Sequence, residues 1–90
     1  METTLSEKEL IGAMQKRDPS SVGALYDSYA ATLFKIICCH ISDRQIAEEI
    51  LTDTILEIWA NIQYYHQQDK RLLIWMAGIA RNRASRSQIA

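Results

Sequence analysis

Apolar residues in this chain recur at three- and four-residue steps, the period at which side chains stack on one face of a helix. Leu10, Ile11 and Met14 form a short first stripe. Ser6 and Glu9 stand at capping-box spacing at its start, so that each side chain can satisfy a backbone N–H of the first turn. Asp18 followed by Pro19 marks a second start, because proline fits the first helical position, where the missing N–H costs nothing. From there Val22, Leu25, Tyr26, Tyr29, Leu33, Ile36 and Ile37 keep the period and predict a long amphipathic helix to about His40.

Ser42, Asp43 and Gln45 repeat the cap signal, with box spacing from Ser42 to Gln45. They open a third helix running to about Ile62, whose stripe is Ile46, Ile50, Leu51, Ile55, Ile58, Trp59 and Ile62. The segment from Gln63 to Lys70 (QYYHQQDK) lacks an apolar period and reads as a loop. Asp69 is a candidate cap for a fourth helix marked by Leu72, Trp75, Met76, Ile79 and Ala80. With no alternating β-like runs, the expected fold class is all-α: a compact bundle of three long helices plus a short N-terminal helix. Its expected core is Leu25, Tyr29, Leu33, Ile50, Ile55, Ile58, Trp59, Trp75, Met76 and Ile79.

Composition narrows this to one folded domain. Ninety residues support a single modest core, and 48% hydrophobic residues with one proline and three glycines argue against disorder. No apolar run approaches the ~18 to 20 residues of a membrane span, and METTLSEKEL is acidic where a signal peptide is basic and then apolar. A soluble cytoplasmic protein is expected. Cys38 and Cys39 are adjacent, which is not a disulfide framework. With His40 they do not make a metal site either, because three consecutive helical residues splay over about 200° and cannot converge on one ion. Reduced thiols are expected.

The net charge of −1 conceals a segregation. Residues 1 to 62 carry five basic and ten acidic side chains, whereas residues 63 to 90 carry Lys70, Arg71, Arg81, Arg83 and Arg86 against Asp69 alone. Such a division suits two different partners, one of them a polyanion, or simply two solvated faces. On the third helix Glu49, Asp53 and Glu57 fall four apart and stack on one ridge. Like charges at that spacing repel, so a ridge without lysine or arginine neighbours on its own helix suits an external basic partner; a solvated face is the alternative.

The loop and last helix have the parts for single-stranded DNA, with cations for phosphates and the rings of Tyr64, Tyr65 and His66 for stacking. One of the two tyrosines is expected instead to close the core. Nothing resembles a catalytic constellation: His40 and His66 have no serine or cysteine partner at a recognisable spacing, and the acidic ridge is too uniform for a carboxylate pair with divided roles. The residues imply neither an enzyme nor a cofactor.

Three stretches carry a family resemblance. Residues 43–59 (DRQIAEEILTDTILEIW) resemble the "D..DAEDLVQETFLRVW" stretch of extracytoplasmic-function (ECF) sigma factors of bacterial RNA polymerase. Residues 75–84 (WMAGIARNRA) resemble their "WL..IARNRA", and residues 24–29 (ALYDSY) their "ALYDRY". The three stand in order at proper separations, and the likeness covers about residues 8 to 86.

In that family this domain is region 2. The resemblance implies that the third helix binds the clamp helices of the largest subunit of core RNA polymerase, with Ile50, Asp53, Thr54 and Glu57 in the binding stretch. It implies that the loop and the fourth helix recognise and melt the −10 element of promoter DNA. Tyr64, Tyr65, His66, Gln67, Gln68 and Lys70 then fall where a flipped-out base is held, with Arg71 beside them, and Arg81, Asn82, Arg83 and Arg86 fall on the DNA-facing helix. An anti-sigma factor is a further partner that the family implies.

The departures are specific. Asp53 stands where glutamate is usual and Thr52 where glutamine is usual, both keeping polarity. The loop has Gln67 and Gln68 in place of "FDP..G.F", which leaves base preference open, and Arg86 replaces a frequent aspartate. The family's helix-turn-helix for the −35 element has no counterpart in these 90 residues. A single region 2 domain over residues 1–90 is therefore expected, from a truncated or an atypical one-domain member. The alternative function is a helical protein–protein adaptor with a sigma-like fold. A sigma domain requires the acidic ridge and the basic helix exposed together, whereas an adaptor needs only one exposed apolar groove.

Overall fold

Helix starts in the computed structural model, which describes residues 6–66 and 69–87, are set mostly by the capping residues visible in the sequence. Helix α1 spans Glu7–Gln15, and its box is complete: the Ser6 hydroxyl accepts from the Glu9 N–H, and the Glu9 carboxylate accepts from the Ser6 N–H. That second bond, followed by the hydroxyl contact, holds the Glu9 carboxyl below the usual range. Helix α2 spans Ser20–Cys38; Pro19 holds its N-cap, one position before the first helical position expected for it, and the Asp18 carboxylate accepts from both the N–H and the hydroxyl of Ser20. Helix α3 spans Arg44–Asn61 and is capped by Asp43, which accepts from the Ile46 N–H. The box expected from Ser42 to Gln45 is thus replaced by a cap one residue later. Helix α4 spans Leu72–Ser87, starting two residues beyond the point at which Asp69 could cap it.

The four helices form an all-α bundle of 37 × 32 × 18 Å. Helix α2 packs against α3 and α4, which also pack on each other, while α1 lies across α2 and the 3₁₀ turn Ile62–Tyr64 that follows α3. Leu25, Leu33 and Ile37 of α2 are fully buried with Met14 of α1, Ile58 of α3 and Met76 of α4. Ile50 and Ile55 join them, as expected. Tyr29, Trp59, Trp75 and Ile79 are only half-buried at the edge of this core. Two members of the predicted stripes are exposed outright, Tyr26 at 51% and Ile46 at 45%.

Alanines belong to the core beside the larger residues. Ala47 of α3 and Ala80 and Ala84 of α4 are fully buried, and a side chain of one carbon lets a helix axis approach its neighbour closely. The end of α1 is fixed differently. Arg17 has φ of 61°, a left-handed conformation that lets the chain leave the helix, and its guanidinium lies 4.1 Å from the centroid of the Trp59 ring. It also donates to the Trp59 carbonyl, near the negative end of α3. Cys38 and Cys39 are free thiols at the exposed end of α2. No helix among the described residues is long and apolar enough to cross a membrane.

Candidate functional site

The acidic ridge and the basic helix lie side by side because α3 and α4 pack on each other. Every third or fourth residue of α3 faces inward, among them Ala47, Ile50, Leu51, Thr54, Ile55 and Ile58, which leaves Glu48, Glu49, Thr52, Asp53 and Leu56 exposed on the other side. Glu57 is half-buried at the border, with its carboxylate toward α4. Of the four polymerase-binding candidates, Asp53 and Glu57 present their side chains at the surface. Ile50 and Thr54 do not: Ile50 is core, and Thr54 is fully buried with its hydroxyl donating to the Ile50 carbonyl at 2.7 Å. They shape the ridge from beneath.

The ridge also has a cationic partner within the fold. Arg83 donates through Nε to the Glu57 carboxylate at 2.5 Å, and its Nη1 lies 3.9 Å from Asp53. The side chains of Arg83 and Glu57 are 35% and 30% exposed, so the pair is shielded from water more than an open surface pair. A spacing rule along one helix cannot find this contact, which joins residues 26 apart in sequence. Arg83 and Arg86 line two clefts between α3 and α4, one of about 170 Å³ over Ile50 and Asp53 and a more open one of about 550 Å³ reaching Leu56, Glu57 and Asn61.

Around the loop the structure separates the two tyrosines. Tyr64 is 75% exposed at the end of the 3₁₀ turn, whereas Tyr65 is 4% exposed and is the ring that closes the core. Its ring lies 5.1 Å from that of Trp75, tilted by 42°, and its hydroxyl donates to the Lys70 carbonyl at 2.6 Å. Burial, then the charge of Glu7 and the Tyr29 hydroxyl, hold the Tyr65 phenol above its usual range, so it stays a protonated donor at neutral pH. His66, Lys70, Arg71, Arg81, Asn82 and Arg86 are exposed. Gln67 and Gln68 lie outside the described residues. Tyr65→Phe, which removes the tie to Lys70, is expected to cost about 0.5 to 1.5 kcal/mol; chemical denaturation checks it, and an unchanged midpoint would mean that the bond contributes nothing.

The surface also carries a feature that hydrophobic periodicity does not predict. An open groove of about 680 Å³ runs between α2 and the first half of α3, lined by Tyr26, Asp27, Phe34, Arg44, Glu48 and Leu51. Arg44 pairs with Glu48 at 3.4 Å and lies 5.9 Å from the centroid of the Phe34 ring. Tyr26 keeps the apolar period of α2 and yet stands at the surface of this groove, 51% exposed. Among the described residues no group of three histidine, cysteine, aspartate or glutamate side chains is placed to hold a metal ion.

Over 74 residues the chain is 28% identical to the ECF RNA polymerase sigma factor BldN of Streptomyces coelicolor. That alignment takes in 82% of this chain and 28% of the relative, so the chain spans little more than a quarter of that protein. No protein-family model matches the chain, and no solved structure matches it significantly. The chain is thus an all-α bundle with a distant likeness to a sigma factor.

Proposed function

We propose that this domain performs the region 2 role of an ECF sigma factor, docking on the clamp helices of core RNA polymerase through the acidic face of α3 and engaging the opened −10 element through the loop and α4. The observation that carries this reading is the joint exposure of Asp53 and its neighbours on α3 beside Arg86 on α4, the helix that also exposes Arg81. A polymerase contact and a DNA contact need surfaces of opposite sign on one rigid unit, and two packed helices supply them. The likeness to a sigma factor, over 74 residues, supports the same reading. An anti-sigma factor, in this reading, would compete for the α3 face.

The test is co-purification with bacterial core RNA polymerase or with its clamp-helix fragment. Asp53→Lys combined with Glu57→Lys is expected to weaken capture by about tenfold or more, because a close interfacial charge pair couples by about 1.5 kcal/mol or more. Circular dichroism is recorded beside it, since the new lysines also face Arg83. Undiminished capture at matched helicity would remove the docking assignment. The open α2–α3 groove, which mixes the rings of Tyr26 and Phe34 with charged side chains, favours the adaptor reading instead, and that reading gains if polymerase is not captured at all.

A further inference from the structure

We propose that Arg83 is an exchangeable latch, which holds α4 to the acidic ridge in the free domain and passes to a DNA phosphate when a basic partner occupies Asp53 and Glu57. The inference rests on the docking and DNA roles proposed above and adds how one controls the other. Its ground is that the same guanidinium belongs to both candidate surfaces. It lies on α4 with the other basic side chains, yet it is paired with Glu57 and lies within reach of Asp53 on α3. The two carboxylates are one helical turn apart and repel each other, and Arg83 offsets that repulsion from the neighbouring helix.

A half-buried pair of this kind is screened less than an open surface pair and does not release its arginine freely. Arg86 is exposed and one turn further along α4, so it is available to a phosphate throughout. When cations of a docked partner settle on the ridge, they neutralise the carboxylates that held Arg83 and add repulsion of like sign. The guanidinium then swings toward solvent, where a phosphate is its natural bidentate acceptor. Because coupling between two binding events is reciprocal, DNA bound to Arg83 also strips the ridge of its internal partner and strengthens docking by the same factor. The free domain is thereby held in a weak DNA-binding state without a separate inhibitory segment.

The experiment measures binding of the free chain to a thymidine oligonucleotide, which has phosphates but no promoter sequence. Glu57→Gln is expected to raise affinity about fivefold at about 0.1 M salt and to steepen the salt slope by about 0.7, the value of one added single-strand phosphate contact. Asp53→Asn is expected to shift it in the same direction by less, because its contact with Arg83 is the longer one at 3.9 Å. Glu49→Gln removes the same charge two turns away on the same helix and measures the general effect of lost negative charge. The Glu57→Gln gain should vanish when Arg83 is already alanine. The latch is overturned if Glu57→Gln exceeds Glu49→Gln by nothing, if its gain survives in the Arg83→Ala background, or if Glu57→Gln binds no oligonucleotide even at low salt. Failure of polymerase capture, measured separately, overturns the docking reading and not this comparison.

Discussion

Leu33→Ala is expected to cost the domain about 2 to 5 kcal/mol, more than truncation of either tryptophan. Leu33 is fully buried on the helix that touches both α3 and α4, so its removal opens a void that no single helix can close by shifting. A domain of 90 residues is expected to hold roughly 5 to 13 kcal/mol in total, of which this is a large share. Trp59 and Trp75, by contrast, are half-buried, so truncating them leaves solvent-filled notches at the edge of the core. Urea denaturation of the three alanine variants checks the ranking. If Trp75→Ala lowers the midpoint further than Leu33→Ala at equal slope, the centre of the core has been misplaced.

A second large effect is expected in the assembled holoenzyme. Replacing Arg83 and Arg86 with alanine should lower affinity for every single-stranded −10 sequence by about 25-fold at about 0.1 M salt, with the salt slope falling by about 0.7 for each lost contact. The loss should be uniform across sequences, because contacts to phosphate carry affinity and register but no base identity. Sequence preference would persist in the double variant, supplied by the loop around Tyr64 and His66, whose exposed rings can meet unstacked bases. The measurement is fluorescence-detected promoter opening with core enzyme present, over a series of salt concentrations. Opening as complete as with the parent would remove the DNA role from α4.

Helix boundaries were legible because their causes are local. Ser6 with Glu9, Asp18 before Pro19, and Asp43 each place a polar acceptor at a helix start, and three of the four starts follow from them. What failed did so where a distant element decides. Tyr26 and Ile46 keep the apolar period, yet nothing covers them, since periodicity tells which residues share a face and not how wide a strip the neighbour occupies. Ala47 and Ala84 fall outside the expected stripes for the opposite reason: a methyl group adds little to an apolar pattern but permits the closest approach between helices. The site shows the same division. The ridge of Glu49, Asp53 and Glu57 follows from spacing alone, whereas its tie to Arg83 depends on how α4 lies across α3. The choice of Tyr65 over Tyr64 as the buried ring was open because adjacent residues outside a helix have no period to separate them.

The contact of Tyr65 with Trp75 gives the loop an optical reporter that needs no label. At 5.1 Å the phenol is close enough to pass its excitation to the indole, and the half-buried indole is expected to emit toward the blue while the pair stays closed. If a base displaces Tyr65 from this seat, the transfer weakens and Trp75 emission moves to the red as water reaches its ring. Trp59, in the last turn of α3 beneath the Arg17 guanidinium, provides a second channel. With one tryptophan retained at a time, the emission of a single chain would time loop opening separately from events at the end of α3.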